Sequence, residues 1–131
     1  CDLIDAAHDF ARAAQAADQA VEAARTSATT LANSDIEAIE AINVEWEAKT
    51  AHKRGSRNEA GFTAEVKSRT KGDLDTFNQA AEMASLRYQQ CRAASLRAEL
   101  NAEQATRAVD AAQARLVEAA RQLTAKKAMT A

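Results

Sequence analysis

The chain has 131 residues, a net charge of −2, 47% hydrophobic residues, no proline, three glycines and only five aromatic residues. Much of the hydrophobic fraction is alanine, which buries little area, so a compact globular core would be thin. The shortage of turn-forming residues excludes β-rich folds and predicts one all-α domain over residues 1–131.

The first predicted helix covers about residues 2–32. Apolar or small residues recur there in alternating steps of four and three, which places them on one helical face, or seam. These positions are Leu3, Ala7, Phe10, Ala14, Ala17, Val21, Ala24, Ala28 and Leu31. Asp2, Asp5 and Asp9 favour the positive end of the helix dipole. An amphipathic helix is therefore expected from the start of the chain.

A second helix is predicted over about residues 35–54. The apolar pattern slips by one residue there, to Ile36, Ile39, Asn43 and Trp46, with Ile42 beside it. At the slip, Ser34 and Glu37 have the spacing of a capping box, which starts a helix. Gly55 is suited to close the same helix. This pattern predicts either a new helix at Ser34 or one long helix that absorbs an extra residue there, and of the two we expect the break. It also makes the isoleucines and Trp46 core residues.

A loop over about residues 55–62 leads to a third predicted helix, at about residues 63–125. Thr63 is a suitable N-cap. The same seam spacing then continues through Thr70, Leu74, Phe77, Ala81, Ala84, Tyr88, Cys91, Ser95, Ala98, Ala102, Ala105, Val109, Ala112, Leu116, Ala119 and Leu123. Gly72-Asp73 is a second possible start of this helix, and Asn101 could open a fourth helix. Because the phase of the seam holds across Asn101, we expect one continuous helix there.

The composition of the seams predicts the fold class. Alanine occupies most of them, and small residues let helices approach closely. Residues 1–48 carry ten acidic side chains against two arginines, whereas the third helix carries many arginines. Both features favour an elongated antiparallel helical hairpin, or a three-to-four-helix bundle, with alanine-rich coiled-coil packing.

No enzymatic site is predicted from the sequence. His8 and His52 lack the companion ligands of a metal site, and Cys91 has no base nearby in sequence. No glycine-rich phosphate loop is present either. The sequence therefore predicts a non-catalytic protein without metal or cofactor, in which Cys91 is a free thiol on the seam.

Two groups of residues outside the seam are predicted to be interaction surfaces. The first is apolar, and it consists of Met83, Leu86, Leu96 and Leu100, with Trp46 as a further anchor if its contact lies between subunits. The second is a basic stretch, with a net charge of +5 over residues 49–71, formed by Lys49, Lys53, Arg54, Arg57, Lys67, Arg69 and Lys71. An acidic partner, a nucleic acid or the acidic half of another copy would suit this stretch.

Three functions remain open from the sequence. The first is a structural protein that self-associates, as filaments or a larger particle. The second rests on Cys1-Asp2, which resembles the start of a mature bacterial lipoprotein; the resemblance implies a lipid on Cys1 and an envelope location. The third is a coat-like protein that packs nucleic acid with the basic stretch. No apolar run is long enough to predict a transmembrane span.

Overall fold

The computed structural model describes residues 2–56 and 63–130, apart from the side chains of residues 56 and 130. Within these ranges the chain forms two helices, α1 (Asp2–Ser56) and α2 (Ala64–Thr130), and no strand. The all-α class and the packing of two long helices against each other are confirmed. A bundle of three or four helices is not confirmed.

The contacts divide the chain into two compact units. The first unit combines Cys1–Ala28 with Ala94–Ala131, and the second is Thr29–Ala93. Each unit therefore contains a segment of α1 and a segment of α2. The residues predicted to interact fall in both units, and they are described below unit by unit.

The seam predicted for α2 is confirmed by its burial pattern. From Thr70 to Ala119, every predicted seam residue is buried or half-buried, and Leu123 is just exposed at 36%. The most enclosed of them are small: Ala81, Ser95 and Ala112 are 4%, 3% and 1% exposed. Since small side chains occupy the contact, the two helices can lie close together.

The predicted helix break at Ser34 is wrong, because α1 continues through it. The Ser34 hydroxyl donates a hydrogen bond to the Leu31 carbonyl oxygen at 2.8 Å. Serine can make this bond inside a helix, where it satisfies the hydroxyl without starting a new turn. The side chain is 4% exposed. Ser34 is therefore a small, satisfied seam residue rather than a cap.

The seam of α1 differs in phase from the predicted one. It alternates steps of three and four without interruption, through Leu3, Ala6, Phe10, Ala13, Ala17, Ala20, Ala24, Ser27, Leu31, Ser34, Ala38, Ala41, Glu45, Ala48, His52 and Gly55. Over residues 3–31, the predicted and observed seams have five residues in common, which lie seven residues apart: Leu3, Phe10, Ala17, Ala24 and Leu31. Ala7, Val21 and Ala28, which were predicted to lie on it, are exposed.

The helix ends agree with the predictions to within a few residues. The backbone N–H of Val66 donates to the Thr63 hydroxyl at 3.3 Å, which confirms Thr63 as the N-cap of α2. This helix ends at Thr130 instead of about residue 125, and α1 ends at Ser56 instead of residue 54. Gly55 is buried within the last turn of α1. The rest of the predicted loop, residues 57–62, lies outside the described ranges.

Gly72 provides a test of the continuity of α2. The helix runs through it, and a Cβ built on Gly72 meets no atom within 4 Å. Gly72→Ala should therefore stabilise the protein by about 0.8–1 kcal/mol, because alanine loses less backbone entropy in a helix. Urea unfolding followed by circular dichroism measures this change.

The matched control is Ala93→Gly at an exposed position of the same helix, which should destabilise by a similar amount. A neutral or destabilising Gly72→Ala would show that the helix does not continue through residue 72.

Adjacent alanines test the phase of the seam. Ala112 is 1% exposed, whereas Ala111 is exposed. Ala112→Leu should destabilise the protein by about 1–3 kcal/mol, since there is no room for the larger side chain. Ala111→Leu should leave the melting temperature nearly unchanged. If the two variants had equal stabilities, the seam would not have the phase described here.

Candidate interaction surface

The distribution of apolar side chains is inverted relative to an ordinary core. Among the described residues, the buried hydrophobic ones are all alanine: Ala38, Ala48, Ala81 and Ala112. All four isoleucines of the chain are at least half exposed. The single tryptophan, Trp46, is 67% exposed. The isoleucines and Trp46, which would gain much from burial, therefore lie largely in water.

Four of these exposed residues follow one another along α1 in the second unit. This outer stripe consists of Ile36, Ile39, Ile42 and Trp46, which are 55%, 52%, 50% and 67% exposed. Their spacing of three and four residues places them along one side of the helix. The prediction that they form the core is wrong.

The continuity of α1 is the reason for their exposure. Ile39, Ile42 and Trp46 each come one residue after a seam position, which rotates them by about 100° from the contact with α2. Only a slip in phase near Ser34 would bring them onto the seam, and an unbroken helix does not make that slip.

Residues of α2 extend the apolar surface on both sides of the helix pair. Leu86, which is 55% exposed, lines a shallow groove together with Ile42. Met83, which is 65% exposed, lines a different groove with Val44 and Phe77. Both residues were predicted to interact, and both are exposed. Only Leu86 shares a groove with the outer stripe.

The remaining predicted apolar residues belong to the first unit. Leu96 and Leu100 are 56% and 53% exposed. They lie four residues apart on α2, so they are neighbours on the surface of that helix. They form a smaller apolar patch than the outer stripe.

An ion pair joins the two helices of the second unit beside the Met83 groove. The Arg87 Nη1 atom donates to Glu37 Oε2 at 3.1 Å, and both side chains are more than half exposed. An exposed pair contributes about 0.2–1 kcal/mol. It favours the observed alignment of α1 with α2, while the seam supplies most of the packing.

The predicted basic stretch is partly engaged within the chain. The Lys49 ammonium pairs with Glu45 at 2.6 Å, and the Glu45 side chain is only 14% exposed on the seam. Lys49 therefore compensates a mostly buried carboxylate. Lys53 and Arg54 lie exposed in the last turn of α1, and Arg69 and Lys71 are exposed on α2. Lys67 is half-buried, and Arg57 lies outside the described residues.

The other chemical features of the described residues are sparse. Residues 2–56 and 63–130 contain no cluster of three or more histidine, cysteine, aspartate or glutamate side chains that could hold a metal ion. Cys91 is a free, half-buried thiol on the seam, as predicted. Cys1, the predicted site of a lipid, lies outside these ranges. Neither α1 nor α2 has an apolar stretch that could cross a membrane within the described part of the chain.

Comparisons with protein-family models, curated proteins and solved structures found no match to the chain. Function is therefore inferred from the surface itself, in which the outer stripe with Leu86 groups three isoleucines and Trp46, all at least half exposed, in the second unit.

The environment of the single tryptophan tests this surface. At micromolar concentration, Trp46 should emit at the long wavelength of a solvated indole, and aqueous acrylamide should quench it strongly, because the ring is 67% exposed. Unfolding in urea should change the emission little. A blue-shifted, quencher-resistant emission in dilute solution would show that Trp46 lies in a core.

Proposed function

We propose that this chain is a non-catalytic structural protein that self-associates by helix packing, with the outer stripe and Leu86 as its contact surface. The observation that carries the proposal is the inverted distribution of apolar residues. Among the described residues, the buried hydrophobic ones are all alanine, whereas three isoleucines and the single tryptophan are exposed on one side of α1. An apolar stripe at helical spacing is the surface that another helix covers.

The size of the stripe sets the expected strength of association. Burying the exposed half of an isoleucine contributes roughly 1 kcal/mol. Four such residues on each of two copies would give roughly 8 kcal/mol before the cost of association, which is about 4 kcal/mol or more. The stripe therefore supports a reversible, concentration-dependent association rather than an obligate one.

The charges beside the stripe also favour another copy of the chain as the partner. Residues 29–48 carry five acidic and no basic side chains, and Lys49, Lys53 and Arg54 follow directly on the same helix. Each copy thus offers both signs of charge next to its apolar residues. A second copy can therefore place opposite charges beside one another. Such complementarity disfavours arrangements in which like charges meet, and it favours one alignment of the two helices.

Removal of the stripe tests the proposal. Sedimentation analysis of the wild type, from micromolar to millimolar concentration, should show an increase in mean mass. Ile39→Ser with Ile42→Ser should raise the dissociation constant by roughly several hundredfold, because a dimer loses four contacts of roughly 1 kcal/mol each. Isoleucine and serine have similar helix propensities, so the fold should be retained.

Ile4→Ser is the matched control, since Ile4 is 57% exposed in the first unit and outside the stripe. Its association should equal that of the wild type. A wild type that stays monomeric at all concentrations, or a double variant that associates as well as the wild type, would contradict the proposal.

A further inference from the structure

We infer that two copies pair through their outer stripes in antiparallel orientation, about a two-fold axis that passes near residue 41. This inference rests on the proposed function, since it specifies how a second copy covers the stripe. It follows from the charge order along α1 and from the order of large and small residues within the stripe.

The charge order disfavours a parallel, in-register pairing. Asp35 precedes the stripe on the side of Ile42, and Lys49 follows it on the same side, seven residues from Ile42 in each case. In a parallel pair, Asp35 would lie beside Glu40 of the second copy and Lys49 beside Arg54, so like charges would meet. In an antiparallel pair, Asp35 of one copy faces Lys49 of the other at both ends, which gives two attractions, and one like-charge contact remains between the two Glu40 side chains near the axis.

The order of side chains selects the register. A pairing centred on residue 41 places Ile36 opposite Trp46 of the second copy, and Ile39 opposite Asn43. The two Ile42 side chains then meet beside the axis. A pairing shifted by half a heptad in one direction would place Ile36 opposite Lys53 and Ile39 opposite Thr50. A shift in the other direction would place Ile36 opposite Ile39, but Trp46 opposite Thr29 and Asp35 beside Ile42. Only the first register covers Trp46 with an apolar side chain and keeps the Asp35–Lys49 pairs, so it is the favoured one.

Lys49 can serve this contact without losing its own partner. Its ammonium pairs with Glu45 and is carried by a side chain that is 54% exposed. Because an ammonium has three N–H donors, it can donate one hydrogen bond to Glu45 and another to Asp35 of the second copy. Leu86, beside Ile42 in the same groove, extends the contact onto α2.

The symmetry of this contact has a consequence for assembly. A two-fold, isologous contact uses the same surface on both copies and is closed once two copies have met. The stripe therefore makes dimers. Filaments or larger particles would require a second, separate contact, such as one through Leu96 and Leu100.

Cross-linking through single cysteines tests the orientation. In a chain carrying Cys1→Ser and Cys91→Ala, checked by circular dichroism, Ile42→Cys should give a covalent dimer with a short bis-maleimide. Ile36→Cys alone should not, because the two copies of residue 36 would be roughly 15 Å apart along the helices. A mixture of Ile36→Cys and Trp46→Cys chains should give the heterodimer. Ile4→Cys is the exposed control and should remain uncross-linked.

A charge reversal gives an independent readout. Asp35→Lys should raise the dissociation constant by roughly 2- to 30-fold, as expected for the loss of two exposed ion pairs. Asp18→Lys makes the same charge change at an exposed position of the first unit and should leave association unchanged.

The outcomes separate orientation from association. Cross-linking of Ile36→Cys alone, as efficient as that of Ile42→Cys, would overturn the antiparallel pairing while sedimentation still showed self-association. Equal effects of Asp35→Lys and Asp18→Lys would overturn the predicted ion pairs. A monomer in sedimentation, with no cross-linking at any position, would overturn the proposed function together with the pairing.

Discussion

The phase of α1 is the constraint on which the rest of the structure depends. A continuous helix keeps one seam from end to end, and seam residues such as Leu3 and Leu31 precede the three isoleucines of the outer stripe along it. From there, the seam passes through Ala38, Ala41 and Ala48. The larger residues beside them are then turned outward, whatever they would gain by burial.

This constraint links the packing of the helices to the proposed function. Small seam residues allow close approach, so they stabilise the pair of helices through many weak contacts rather than a few large ones. The isoleucines and Trp46 contribute little to that contact. Their presence on the surface is accounted for if another copy covers them. Stability within the chain and the proposed association between chains thus use different faces of α1.

Much of the fold could be predicted from the sequence, because most local signals agreed with one another. The seam of α2, the Thr63 cap and the continuity across Asn101 follow from spacing and composition. Ser34 was ambiguous, since a serine followed by Glu37 fits a cap, yet its hydroxyl can equally bond to Leu31 within a helix. Only the packing against α2 decides between the two.

The candidate surface was harder to predict for a related reason. Isoleucine and tryptophan suggest a core on hydrophobicity alone, whereas alanine suggests nothing definite. The seven-residue spacing that joins Leu31, Ala38 and Glu45 was present in the sequence, but it placed an acidic residue on the seam. The ion pair from Lys49 makes that position tolerable, and such a pair is visible only in the folded chain.

Nuclear magnetic resonance of the isoleucine methyl groups tests the central claim most directly, because the chain has four isoleucines and all are exposed. In dilute solution, a soluble paramagnetic agent should broaden the signals of all four. In concentrated solution, Ile36, Ile39 and Ile42 should become protected while Ile4 stays accessible. Protection of the three at every concentration would show that they lie in the core of the chain, and would contradict the structure and the function inferred from it.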